Sequence, residues 1–237
     1  MGRFYLWRDG PEMEESRDAP AVSTDSVLLA YFAAPFSRGR GLDMGCGSGL
    51  LSIILAWNST GLKMDGVELS EKAAALARRN VALNGLSDRV TVIHGDLRLL
   101  TEVAVGGKYS FIITNPPYFP QFGGTTSPDP ARAAARSEGS CALSELAAAA
   151  ARLLGTGGRL FLVQKPSRLS EIFCVMTQNG FEPKRLRLVE AAPHTAPSLA
   201  LCELRRGGSP GLTIEPALVL KDEAGADSTE YRKIYRI

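Results

Sequence analysis

The feature that most constrains this chain is a glycine-rich turn, Asp43-Met44-Gly45-Cys46-Gly47-Ser48-Gly49, followed at once by the apolar helical run Leu50–Trp57. Glycines at 45, 47 and 49 permit bends that a Cβ would forbid, and they let a ligand approach the main chain closely. Leu42–Met44 ends a strand, so the turn opens a strand-to-helix crossover. The residues downstream keep the same alternation. Strands are expected at Lys63–Val67, Val90–His94, Tyr109–Thr114 and Arg159–Gln164, with helices at Ser70–Asn84, Cys141–Leu154 and Ser167–Asn179. Asn84-Gly85, Gly155 and Gly180 supply the helix stops. Arg185–Glu190 and Ser198–Arg205 are expected as late strands. Strands alternating with helices give an α/β fold, a mainly parallel sheet covered on both faces. Ligands of such sheets bind beyond the carboxyl ends of the strands.

A chain of 237 residues suffices for one α/β domain of this kind. Residues 1–22 form an N-terminal arm, with Phe4–Trp7 as a strand and Pro11–Pro20 as an acidic loop. Residues 23–206 form the main domain. It opens with Ser23-Thr24-Asp25-Ser26, a capping signal for a helix over Val27–Phe32 that Pro35 stops. Residues 207–237 are a C-terminal extension packed on the same domain. It starts at the turn Gly207–Gly211, and its segments Leu212–Leu220 and Tyr231–Ile237 are expected to add an edge strand or to wrap the surface. No apolar stretch reaches the ~20 residues of a membrane span, and Met1–Trp7 does not read as a signal peptide. Cys46, Cys141, Cys174 and Cys202 lack metal-ligand or redox spacing and read as buried thiols. A cytoplasmic, reduced protein is expected.

The spacing of the glycines narrows the ligand. A dinucleotide fingerprint needs a third glycine where this chain has Leu50. Asp43 followed by G-x-G-x-G suits a ligand without pyrophosphate. Glu68 ends the second strand roughly 20 residues further on, where an acid accepts hydrogen bonds from ribose hydroxyls. Asp96, after the third strand, is placed to accept from an adenine amino group. His94 reads as a strand-end core residue.

At the end of the run Tyr109–Thr114 stands Asn115-Pro116-Pro117-Tyr118. Prolines fix φ and restrict the residue before them, so this turn is stiff. It can aim two acceptors, the Asn115 side-chain oxygen and the Pro116 carbonyl, at one point. An amine conjugated to a ring is a poor nucleophile. Holding both of its N–H groups localises the lone pair and stabilises the positive charge that develops on alkylation. Tyr118, with Phe119 and Phe122, offers an aromatic platform for a base.

These motifs together resemble the class I Rossmann-like amino-group methyltransferases. More narrowly, Thr24-Asp25-Ser26-Val27-Leu28-Leu29, Asn115–Phe119 and the stretch from Ala131-Arg132 to Arg136-Ser137-Glu138 resemble the bacterial tRNA1(Val) adenine-37 N6-methyltransferases. The resemblance implies a mostly parallel seven-stranded sheet and S-adenosylmethionine as cofactor. It implies that Asp43, Gly45, Gly47 and Gly49 hold that cofactor with Glu68 on its ribose and Asp96 on its adenine. Thr24, Asp25 and Asn115 would lie near its methionine end. It further implies catalysis by Asn115, Pro116 and Tyr118 on an adenine N6 in RNA, with Pro117, Tyr118 and Phe119 against the base.

Rival readings are glutamine N5-methyltransferases acting on proteins, which share the tetrapeptide, DNA adenine methyltransferases, which use similar ones, and ribosomal-RNA guanine-N2 methyltransferases. The first two usually carry a recognition region for which this chain has little room. A net charge of +2 gives no bulk basic footprint, so RNA contacts must come from local clusters. Arg132 and Arg136, four residues apart, form one; Lys184, Arg185, Arg187, Arg205 and Arg206 form another. His94 and His194 lack partners at metal-ligand spacing, so no metal is expected. No obligate protein partner is evident.

Overall fold

The computed structural model describes residues 2–16, 22–116 and 143–236. The elements run β1 (Arg3–Tyr5), β2 (Glu12–Glu14), α1 (Thr24–Ala33), β3 (Arg40–Met44), α2 (Leu50–Asn58), β4 (Lys63–Glu68), α3 (Glu71–Leu83), β5 (Val90–His94), β6 (Tyr109–Thr114), α4 (Leu143–Leu153), β7 (Leu154–Gln164), α5 (Leu169–Gln178), β8 (Phe181–Glu190), β9 (Leu199–Arg206), β10 (Thr213–Ile214), β11 (Leu218–Val219) and α6 (Thr229–Tyr235).

The main sheet has the order β10-β8-β9-β7-β6-β3-β4-β5, with β11 also on β8. Strands β3 to β7 are parallel, and β9 runs antiparallel between β7 and β8. Among the described residues the sheet has nine strands. Seven form its body; β10 and β11 are two-residue additions along β8, supplied by the C-terminal segment. Strand order reverses between β3 and β6, which is where an open α/β sheet places its ligand.

Alternate residues of the buried strands feed two cores. On one face Phe111, Ile113, Phe161 and Val163 pack with α1, α2 and Val81 of α3. On the other, Ile112, Leu160 and Leu162 pack with α4 and α5. This period-2 division is what places Asn115, the residue after Thr114, on the α1 side of the sheet.

Two segments depart from expectation. The acidic stretch 12–14 is a strand, not a loop: β2 pairs antiparallel with β1. Its backbone is held by side chains of α3. Glu12 N–H donates to Asn84 Oδ1 at 2.9 Å and Glu14 N–H to Asn80 Oδ1 at 2.8 Å. Met13 between them is fully buried, which polar neighbours concealed in the sequence. At the other end, residues from Thr229 form a helix, capped by Ser228 Oγ accepting from Tyr231 N–H at 3.1 Å.

Candidate active site

The glycine turn is built by its backbone. Gly45, Gly47 and Gly49 have φ of +73°, +53° and +84°, a region costly for other residues. The N–H groups of Gly45 and Cys46 both donate to Val67 O, at 2.9 and 3.0 Å, tying the turn to the end of β4. Gly49 precedes α2 but has no side chain to cap it. Asp43 takes that role from the end of β3: its Oδ2 accepts from Ser52 N–H at 3.2 Å and from Ser52 Oγ at 2.9 Å. A carboxylate at a helix N-terminus is favoured by the helix dipole. Asp43 is nevertheless wholly buried, and its Oδ1 has no partner among the described residues. Burial outweighs the Ser52 hydrogen bonds and, with the nearby Glu68 charge, pushes its carboxyl up to about 7.

Glu68 closes the rim of this turn. Its Oε2 accepts from Gly47 N–H at 2.9 Å and its Oε1 from Ser70 N–H at 2.8 Å. Each oxygen is thereby fixed in place and keeps a lone pair for a ligand. Asn80, buried on α3, donates to Ser48 O at 3.0 Å while also holding Glu14. The N-terminal hairpin and the glycine turn thus share one side chain.

Thr114 Oγ1 donates to Met44 O at 2.8 Å, so the ends of β6 and β3 are bonded side by side. Asn115 therefore stands directly beside the glycine turn. It is half-buried, and its Nδ2 donates to Ser26 Oγ at 2.9 Å and Ser23 Oγ at 3.4 Å. Pro116 is buried next to it. Asp25 is half-buried on the first turn of α1, and exposed Thr24 shares a hydrogen bond with Tyr235 of α6. Asp96 sits at the end of β5, where Arg98 grips both carboxylate oxygens at 2.6 to 2.9 Å and holds the carboxyl below its usual range.

The structure thus gathers Asp43, Gly45, Gly47, Gly49, Glu68, Asn115 and Pro116 at adjacent strand ends, with Thr24 and Asp25 on the flanking helix. Pro117, Tyr118, Phe119, Arg132 and Arg136 lie outside the described residues, as do Phe122 and Cys141. Several expectations are corrected. His94 is exposed rather than in the core, its Nε2 lying 3.1 Å from Leu69 O. Cys174 is exposed, whereas Cys46 and Cys202 are buried. The second basic group makes contacts within the fold. Arg185 bonds Glu215 and buried Glu203, and Arg187 bonds Glu230. Arg206 and Arg205 donate to the carbonyls of Leu154 and Gly157, and Lys184 to that of Ser209. Residues the sequence did not single out are the small partners Ser23, Ser26, Ser52 and Ser70, and Asn80. Their only local signal is position, since Ser23 and Ser70 are helix caps.

An observation at the turn tests which ligand fits. Gly45 is exposed, and a Cβ built on it meets nothing within 4 Å, so open space lies directly over the turn. The fixed Glu68 carboxylate at the edge of the turn fits a ligand with a ribose, and the buried Asp43 Oδ1, without a partner among the described residues, is an unused acceptor suited to a cationic group. Sheet order and site define a class I methyltransferase, an enzyme that takes its methyl group from S-adenosylmethionine. The family described as "Methyltransferase small domain" matches residues 21–173, and the chain belongs to that family.

Its relatives and structural neighbours agree. A protein of Tolumonas auensis named tRNA1(Val) (adenine(37)-N6)-methyltransferase is 33% identical over 220 residues, covering 92% of this chain and 90% of that protein. One of the same name from Pectobacterium carotovorum is 32% identical over 240 residues, covering 98% and 94%. Among solved structures, a "predicted O-methyltransferase" of Agrobacterium tumefaciens superposes with a TM-score of 0.69 at 21% identity, covering 90% of this chain and 96% of that one. A methyltransferase of Pyrococcus furiosus gives 0.58 at 19%, covering 83% and 89%. At these identities the structures speak for the fold.

Proposed function

We propose that this protein methylates the exocyclic N6 of an adenine in RNA, adenine 37 of a tRNA anticodon loop. The observation that carries the proposal is the placement of Asn115, fixed at the end of β6 beside the glycine turn at the end of β3. The names of its relatives support the tRNA substrate. S-adenosylmethionine, when bound, supplies an electrophilic methyl group on sulfur.

The chain's own residues do the rest. Glu68 takes the ribose hydroxyls. Asp43, Thr24 and Asp25 face the amino-acid end, and Asp96 takes the adenine once Arg98 yields to it. Asn115 Oδ1 and the Pro116 carbonyl each accept one N–H of the target amine. That would pull its lone pair out of conjugation and stabilise the positive charge developing on the nitrogen as it accepts a methyl group. Such preorganised acceptors contribute most where water is excluded. The nitrogen, acidified by its new charge, then releases its proton without a dedicated base. Pro117, Tyr118 and Phe119 lie against the base, with the aromatic rings stacking on it. Arg132 and Arg136 contact phosphates. The target is unpaired or turned out of its stack, because an enzyme cannot reach a base inside a helix. No described helix is long and apolar enough to cross a membrane. A cytoplasmic enzyme acting without an obligate protein partner accords with a tRNA substrate.

The test is to incubate the protein with methyl-labelled cofactor and, separately, total tRNA, ribosomal RNA and a release factor. Label on adenine N6 in tRNA is expected. Label on a protein glutamine or on guanine N2 would replace this reading with one of its rivals.

A further inference from the structure

We propose that Ser26, with Ser23 behind it, is the positioning residue that decides which end of the Asn115 amide faces the methyl acceptor. The inference rests on the reading above, in which Asn115 acts through its oxygen.

A carboxamide has two nearly isosteric ends, and its terminal torsion is broad and roughly two-fold. Turned one way, Asn115 offers Oδ1 to the amine and accepts its N–H. Turned the other way, it offers Nδ2, and two donors meet. The prolines after Asn115 stiffen the backbone, but they do not choose between these ends. The choice falls to what lies on the other side of the amide.

That side is the first turn of α1. Ser23 Oγ accepts from Ser26 N–H at 3.3 Å, the helix-capping bond, and its own hydrogen goes to Ser26 Oγ at 3.3 Å. With that hydrogen committed, Ser23 presents a lone pair to Asn115 Nδ2, 3.4 Å away. Ser26 Oγ receives Asn115 Nδ2 at 2.9 Å together with the Ser23 hydroxyl. Two donors occupy its two lone pairs, which sends its own hydrogen away from the amide. The serine pair is therefore an acceptor surface towards Asn115. Reversing the amide would make Ser26 turn its own hydrogen to Oδ1, and would leave Oδ1 facing a Ser23 oxygen whose hydrogen is already committed to Ser26. Ser26 is only 8% exposed, so water offers little compensation for a mismatch there. The capping motif of α1 thereby acts on the chemistry at the end of β6, 89 residues away in sequence.

The experiment compares Ser26→Ala and Ser26→Thr with the wild type on whichever acceptor the wild type methylates. It measures kcat, KM for the acceptor, Kd for S-adenosylmethionine and Tm. Ser26→Ala should lower kcat about 10- to 100-fold, the usual cost of a misplaced reacting group, with both binding constants near wild type and a modest fall in Tm from the buried donors it leaves unpaired. Ser26→Thr, which keeps the oxygen, should restore most of kcat. A Ser26→Ala enzyme within twofold of wild-type kcat would overturn the proposal. So would a loss of kcat matched by weaker cofactor binding, because Ser26 would then only support the site as a whole, and so would a Thr variant as slow as the Ala variant. Failure of the tRNA reading would show differently, in the wild type, as methylation of another amine.

Discussion

Cofactor binding should tighten as pH rises through neutrality, and Asp43→Asn should remove that dependence. Asp43 is wholly buried with one oxygen unpartnered among the described residues, and its carboxyl is pushed up to about 7 from 3.8. At 1.36 kcal/mol per pKa unit, this is a cost of at most about 4 kcal/mol for holding the group ionised in the ligand-free fold. The sign follows from proton counting. Between about pH 4 and 7 the folded chain keeps a proton that the unfolded chain has released, so stability falls as pH rises through this window and levels off above it. A ligand ammonium near Oδ1 favours the carboxylate and expels that proton. Below neutrality, binding must then release close to one proton per site. The affinity at pH 6 should be about tenfold weaker than at pH 8, the value linkage gives for a group titrating near 7. Calorimetry at pH 6, 7 and 8, in two buffers of different ionisation enthalpy, counts the protons. Glu68 contributes to the upward shift, so Glu68→Gln should move the pH midpoint down. A wild-type Kd independent of pH with no proton released would refute the reasoning, as would an Asp43→Asn variant that keeps the dependence.

Other substitutions probe separate links. Glu68→Ala removes hydrogen bonds to a charged acceptor, each worth about 1.5–3 kcal/mol; calorimetry should show cofactor Kd at least ~10-fold weaker, and Tm should fall too because Gly47 N–H and Ser70 N–H lose their partner. Gly66→Ala would place a Cβ 2.9 Å from Cys46 Sγ and displace the glycine turn; it should cost about 1–3 kcal/mol of stability and weaken cofactor binding with it. Glu203→Gln leaves Arg159 and Arg185 without the buried carboxylate that both contact; urea unfolding should show a loss of about 3–5 kcal/mol, while cofactor affinity per folded molecule stays unchanged.

What could be read in advance was what is local. The glycine turn, the alternation of strands and helices, and the stiff Asn115-Pro116 step each carry their physics within a few residues. They fall at adjacent strand ends because the crossover rule orders the sheet. What could not be read depends on distant partners. Strand β2 hides in Glu12-Met13-Glu14 because Asn80 and Asn84, on a helix some way along the chain, complete its hydrogen bonds. Arg185 and Arg187 resemble a phosphate-binding surface until the fold brings Glu203, Glu215 and Glu230 to them. Ser26 looks like one more polar residue in a capping sequence, and only the structure sets it against Asn115.

The most direct test of the central claim is mass spectrometry of digested tRNA from cells lacking this protein, complemented with the wild-type chain or with Asn115→Ala. The wild type should restore N6-methyladenosine next to the anticodon. Asn115→Ala should restore none, although the purified variant still binds S-adenosylmethionine. A normal level of that nucleotide without the protein, or its full restoration by Asn115→Ala, would contradict the account.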